Sequence, residues 1–476
     1  MALPGVNVTL QDFALGLVEP ADHTQAVIGT AASGTANTVV AISDLKTLKS
    51  TFGSGPLVEA AAHALLIAGG PIYCVKVAAG NNGSNGSATK VGTGPDPGAA
   101  PSGTPLDDYS VIVKVVKAGV RGTATFKISF DGGDTYSEEY VTAASVTTWA
   151  TETGLTITFT NSSAYSADTT YSWTSVGPTY DSTDLATALD NLKASPYQFE
   201  FVHIVGTSDG ADDAEKVTNF VALATAVGTK LTDWATSFRY AFAVLQLPGV
   251  ADSALAVSGV TGFQDARQMW VAGDVEMISA VTSRKIRRNA SLTVAARMAS
   301  VDLQRSPACP ADGTLPGVVS LYRDERVTEA LDTLRITTLR TFDSATSGFY
   351  VTNGRMMAAA GSDYSFVQAR RVMDRAAMIA RQALIPYVNA DLRVDAETGF
   401  IDELEAVAID NRLQRVLEAD LISTGRASAI EVRTKRNDNL LTTQTLNVLV
   451  RVIPKAYGQF IELDIGFENP ALAAAS

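Results

Sequence analysis

The sequence predicts an α/β (α+β) fold in several domains, on three observations. Strand and helix signals alternate over 24–78 and again from Asp184. A stretch between them, 107–176, carries strand signals only. Both chain ends are strand-forming. A chain of 476 residues is too long for one hydrophobic core, and roughly two to four domains are expected.

The chain opens on the turn signal Pro4-Gly5 and runs into Val6-Asn7-Val8-Thr9-Leu10, with Val6, Val8 and Leu10 on one face at period two. Gln25 to Thr30 reads as a short buried strand. Ser43 and Asp44 can cap a helix that carries Leu45 and Leu48 and stops near Phe52-Gly53. A second helix runs from about Pro56 to Ala68 and ends at Gly69-Gly70, where glycine takes the left-handed position at little cost. Ile72 to Ala78 is then a strand.

Of the 25 residues from Asn81 to Pro105, 19 are Gly, Ser, Thr, Asn or Pro, which reads as a linker. Strands follow near Tyr109–Lys117, Thr123–Phe130, Ser137–Val141, Leu155–Asn161 and Tyr171–Val176, with Asp131-Gly132-Gly133-Asp134 as a turn. They predict a small antiparallel domain inserted into a larger one. Asp184–Lys193 and 212–228 are expected helices, and Phe199–Val205 and Tyr240–Leu247 expected strands. Further on, 328–333 reads as helix, and 335–340 fits helix or strand. From about Phe366 to Leu384, Val372, Ala376, Ile379 and Ala383 share one side of a helix, while Arg370, Arg371, Arg375 and Arg381 gather on another. A predominantly acidic helix follows, about Glu403 to Asp420. The tail, Thr445 to Ile453 and then Tyr457 to Phe467, alternates at period two and predicts a strand pair.

Composition is that of an ordinary soluble protein, 46% hydrophobic and 18% charged. No apolar run approaches the roughly 20 residues of a membrane helix, and no secretory signal is read at the N-terminus, so synthesis and folding in a cytoplasm are expected. The net charge of −13 is uneven. Up to Ser283 there are 13 basic and 27 acidic residues (13 − 27 = −14), against 24 and 23 from Arg284 onward (24 − 23 = +1). An acidic front argues against general nucleic-acid binding. The basic residues of the rear are mostly arginine, which suits bidentate pairing to carboxylates.

Signals for catalysis are weak. His23, His63 and His203 have no neighbours at metal-ligand or triad spacing and read as satisfied structural histidines. Cys74 reads as a buried thiol, and neither it nor Cys309 sits in a C-x-x-C. No phosphate-binding loop is present. Val205-Gly206-Thr207-Ser208-Asp209-Gly210 joins a buried strand to a helix, where an open α/β sheet would hold a ligand, yet it also makes a routine capped join. The pairs Asp107-Asp108, Glu138-Glu139 and Asp212-Asp213 are adjacent, would point to opposite faces of a strand, and read as solvated. No cofactor or metal is expected. The arginine stripe fits either a solubilising face or a contact surface for an acidic partner. Strand-forming termini suggest pairing with other copies of the chain, since an unpaired edge templates another strand.

In order along the chain, several segments resemble contractile tail sheath proteins of phages and related injection machines. They are Pro4 to Val8, Val27 to Ala31, Phe52-Gly53, Gly69 to Val77, Leu331 to Phe342, Tyr364 to Tyr387 with Arg370-Arg371 opening a long helix, Asn389, and the C-terminal strands. A stretch in which the family usually carries a tryptophan reads here Ser347 to Arg355 without one. The resemblance implies an N-terminal arm (1–20), a sheath domain made by both ends (21–80 and 315–443), a linker (81–106), an inserted β-rich outer domain (107–178), an inserted α/β domain (179–314) and C-terminal arm strands (444–476). It implies a structural subunit and no enzyme, stacked as hexameric rings around a tail tube in a virion tail assembled in the host bacterial cytoplasm. Its partners would be other copies of itself, the tube protein, the baseplate and the tail terminator, without nucleic acid or membrane insertion. Val6, Val8, Leu10, Leu446, Val448, Val450 and Val452 would pair strands between subunits, and Arg370, Arg371, Arg375 and Arg381 would face the tube. Competing readings are a tube or baseplate component, and an α/β hydrolase or transferase using the 205–210 turn.

Overall fold

A computed structural model describes residues 22–94, 97–146, 153–206, 210–343, 346–463, 465 and 466. The chain divides after Met378 into two compact units, Met1–Met378 and Ile379–Ser476.

Unit 1 is built on a six-stranded sheet. Its strands are β1 (Gln25–Gly29), β2 (Val39–Ile42), β3 (Ile72–Lys76), β13 (Phe201–Ile204), β14 (Phe242–Gln246) and β15 (Gln268–Val271), in the order β15-β14-β13-β1-β3-β2. All neighbours are parallel except β2 and β3. Strands β1, β13 and β15 are buried along their whole length, as expected of a parallel sheet covered on both faces. Alternation splits the side chains between two cores. Val27, Cys74, Phe201, Val244 and Met269 face α1 (Leu45–Phe52), α2 (Pro56–Ala68) and α5 (Ser291–Ser300). Ala26, Val75, Val202, Leu245 and Trp270 face α3 (Ser182–Ala194) and α4 (Asp213–Thr236). Each fully buried Leu, Val or Phe in these layers contributes about 1.5–3 kcal/mol. Local signals fix the helix starts: Asp44 accepts from the Thr47 amide at 2.8 Å, Asp181 and Asp184 form a reciprocal capping box, and Asp212 accepts from the Glu215 amide.

The expected boundary between 21–80 and an inserted α/β domain at 179–314 does not hold. Strands β13 to β15 extend the sheet begun by β1 and β3. The 315–378 stretch joins the same body: β19 (Leu339–Arg340) pairs with β20 (Tyr350–Val351), and Leu339, Val351, Met356 and Val367 enter the first core. Instead of the helix expected at 328–333, only a short turn forms at Asp332–Leu334. Beside the sheet, β16 (Asp274–Ile278) pairs with β17 (Lys285–Asn289) and β18 (Val318–Leu321).

The inserted β domain has its own core, including Val111, Val113, Phe126, Phe159, Tyr171 and Trp173. Its long strands β7 (Tyr109–Lys117), β8 (Thr125–Ser129), β11 (Leu155–Phe159) and β12 (Thr170–Val176) lie close to where the alternation puts them. The expected linker is a correction, for 81–106 supplies β4 (Ser84–Asn85), β5 (Thr89–Val91) and β6 (Ala99–Gly103). The first two pair with β12 and the third with β11. A main-chain ladder needs no apolar side chain on the added strand, because its partners already supply the buried face. Glycine is what allows the approach, since a Cβ on Gly103 would sit 2.4 Å from the Gly154 carbonyl oxygen.

A long helix, α6 (Val367–Leu384), spans the division between the units by chain continuity. Unit 2 holds α7 (Glu403–Leu417) against a two-stranded sheet of β21 (Ala429–Thr434) and β22 (Val448–Ile453). The acidic face of α7 is answered within the unit: Arg436 bridges Glu403 and Asp410, each at 2.8 Å. With its own small core around Ile401, Ala406 and Ile409, unit 2 is separate from the body, where the sequence predicted one domain from both ends.

Candidate assembly surfaces

Helix α6 carries the arginine stripe, and three of its four members are held by carboxylates of the chain itself. Arg371 is fully buried. Its guanidinium forks onto both oxygens of Glu200, and it also donates to the carbonyls of Met298 at 3.1 Å and of Val301 and Asp302 at 3.4 Å. Those carbonyls lie at and just beyond the C-terminal end of α5, the negative end of its dipole, so one cation serves a carboxylate and a helix terminus together. Arg370 pairs with Asp374 at 2.8 Å and lies over the Tyr364 ring, 4.0 Å from its centroid. Asp374 in turn accepts two bonds from Arg267, at 2.8 and 3.1 Å. Arg375 reaches Asp22 at 3.0 Å. Of the four, only Arg381 is exposed. The cause is that Glu200 and Asp22, far away in sequence, and Asp374 on the helix itself enclose the face that periodicity reads as polar. Glu200, Asp22 and Asp374 were not found from sequence. The sole advance signal was the arginine bias of the rear half, and here its bidentate pairing is intramolecular.

The terminal strand residues divide. Val6, Val8 and Leu10 lie outside the described residues. Leu446 and Val448 turn inward onto the unit 2 core, and Val450 and Val452 are half-buried opposite Val432 and Ile430. Strand β22 therefore already has a partner in its own chain, while among the described residues the sheet has two strands only. The expected second tail strand, Tyr457 to Phe467, is not formed over its described residues. Phe460 and Ile461 are 90% and 89% exposed, and Leu463 and Ile465 nearly as much. Apolar side chains this open and this close in sequence are rare on the surface of a monomer.

A buried ionic centre joins the inserted domain to the body. Arg288 of β17 pairs with Asp107 at the root of β7, and both oxygens of Glu59 on α2 accept from the Ser279 hydroxyl, at 2.9 and 2.8 Å. Burial pushes the Asp107 carboxyl up to about 6 against the pull of Arg288, and burial likewise raises Glu59. Asp107 and Asp108 were expected to be solvated. Asp107 is instead buried, while Asp108 is exposed and accepts from the Gly177 amide at 2.7 Å. An open cleft of 1160 Å³ lies over this centre, with cations such as Lys49 and Lys285 mixed among carboxylates such as Asp131 and Asp274.

His63 on α2 and His203 on β13 are buried, and Nε2 of each has no hydrogen-bond partner among the described residues. Burial holds His63 down at about 4, and burial together with His63 holds His203 at about 3. They are structural, as expected, but not satisfied. Cys74 of β3, separated from His203 by β1, is buried too, its thiol pushed up to about 12 by burial. Among the described residues, no three His, Cys, Asp or Glu side chains converge on a metal-sized site, and no helix is long and apolar enough to cross a membrane. Ser208 and Asp209 of the 205–210 turn lie outside the described residues.

Similarity to solved structures spans the whole chain. Over 99% of its length the chain is similar to all of a chain from the anti-feeding prophage baseplate in its contracted state, with a TM-score of 0.56 and 13% identity. Over 98% it is similar to all of a chain from the anti-feeding prophage helical sheath in its contracted state, with a TM-score of 0.54 and 13% identity. A chain from the sheath complex of PVC, an extracellular contractile injection system, in its contracted state matches over 98% of both chains, with a TM-score of 0.52 and 11% identity. At these identities the likeness is one of fold, and the fold is that of contractile tail sheath proteins. No curated protein sequence matches the chain. Residues 3–355 match the profile described as the DUF2586 N-terminal domain, and 363–472 that of the DUF2586 C-terminal domain. A sheath-type body with its C-terminal unit, matched along nearly its full length by these two profiles, belongs to the DUF2586 family.

Proposed function

We propose that this chain is the subunit of a contractile tail sheath. It polymerises as stacked hexameric rings around a tail tube and contracts to drive the tube through a target cell envelope. The observation that carries this reading is the end-to-end likeness, over 98% or more of both chains, to chains of contracted sheath and baseplate assemblies. Two features of the chain itself support it: a terminal sheet of only two strands among the described residues, and the exposed apolar tail beyond it. The partners are other copies of the chain, the tube protein, the baseplate and the terminator, in a virion tail or injection particle. The role is structural, and contraction runs downhill from an extended lattice to a more stable compact one, so it consumes no nucleotide. Arg381 is the remaining candidate of the stripe for the tube face.

Inter-subunit strand addition at both ends is tested by truncation. Removing residues 1–10, or 454–476, is expected to leave folded, soluble subunits that form no long tubes in electron micrographs. Tubes of undiminished length from either truncated chain would contradict strand exchange between subunits.

A further inference from the structure

The arginines of α6 converge on the first described residues of the chain. Arg375 pairs with Asp22 at 3.0 Å. The amide of His23 donates to Glu200 Oε2 at 3.1 Å, and Glu200 is the same carboxylate that Arg371 grips by two nitrogens. The Glu200 amide donates to the Thr24 carbonyl at 2.8 Å, immediately before β1 enters the sheet opposite β13. Three consecutive residues, 22 to 24, are thus each tied to Glu200 or to α6. His23 sits at φ +64°, in the left-handed region that few residues other than glycine adopt. These ties hold residues 22–24 against the body.

From this geometry we infer that Arg375, with Arg371 acting through Glu200, is the anchor of the N-terminal arm. They hold the arm root, residues 22–24, to the body, so that any pull on the arm is delivered to α6. The inference rests on the sheath reading, in which residues 1–20 pair with another subunit. It replaces tube gripping as the work of these arginines. The partly buried Asp22–Arg375 pair is the element that can be removed without opening the core, its side chains being 22% and 12% exposed.

The test compares Asp22→Asn, Arg375→Gln and the exchanged pair Asp22→Arg with Arg375→Asp, in the full-length chain. Each is assayed for the critical concentration of tube assembly by sedimentation, and for subunit unfolding in urea. Both single variants are expected to raise the critical concentration about fivefold, the scale of one lost ion pair, with their urea midpoints close to the parent's. The exchanged pair is expected to recover most of the loss, which a merely packing role would not produce. An unchanged critical concentration in both single variants, or an exchanged pair as poor as the singles, overturns the anchor. The chain lacking residues 1–10 separates this outcome from failure of the sheath reading. If that chain assembles normally, arm pairing itself is refuted. If it fails to assemble while the single variants do not, the anchor alone is.

Discussion

Replacing Arg371 with leucine is expected to destabilise the folded subunit by about 3–5 kcal/mol, the cost of removing one partner from a buried pair. The side chain has no exposed surface, and its loss strands Glu200, which is 11% exposed, together with the carbonyls at the end of α5. Glutamate at this position is worse, because it puts a second carboxylate against Glu200. Urea unfolding of the isolated subunit measures the effect. Arg381→Leu on the same helix is the control and is expected to change stability by less than about 1 kcal/mol, as for an exposed charge. Similar small values for both variants would mean that Arg371 is not buried in the folded subunit.

Acid is expected to weaken the subunit through its histidines. His63 and His203 are held at about 4 and about 3 when folded, against 6.5 for the free side chain. Between these values the unfolded chain binds a proton at each site that the folded chain does not, so stability falls as pH drops below about 6.5. At pH 5 each site has lost about 2 kcal/mol relative to neutral pH. Asp107 works in the opposite sense. Its folded value of about 6 lies above the 3.8 of a free aspartate, so the folded state takes up the proton first, and about 1 kcal/mol is returned by pH 5. Glu59, raised by burial as well, offsets in the same sense as Asp107, so a net loss of no more than about 3 kcal/mol between pH 7.5 and pH 5 is the expected result. In His203→Leu the histidine share of that loss is expected to halve. Equal pH dependence in parent and variant would show that His203 does not titrate differently on folding.

Much of the scaffold was legible in the sequence, because periodicity and capping are local. The runs at Gln25 and Phe201, the Asp44 and Asp212 caps, and the alternation over Tyr109 to Lys117 each name an element without reference to the rest of the chain. Sheet membership is not local. Nothing in Phe242 to Gln246 says that it pairs with β13, so the body was divided where it is continuous. The composition of 81–106 is that of a linker, whereas its order comes from pairing with β11 and β12. The same limit governs the assembly surfaces. The arginines of α6 were found, but their carboxylates at Asp22 and Glu200 lie more than 150 residues away. Asp107 looked like one of several surface acids until Arg288, 181 residues on, closed over it. What sequence placed correctly was the residue type, arginine suited to bidentate pairing, and what it could not place was the partner.

Assembly is the property on which the rest depends, and electron microscopy of the purified, full-length protein measures it most directly. Long striated tubes, six-fold in end view and with a hollow lumen wide enough for a tail tube, are the expected result. A protein that remains as discrete single subunits at every concentration and salt condition, with its fold intact by circular dichroism, would contradict the assignment as a sheath subunit.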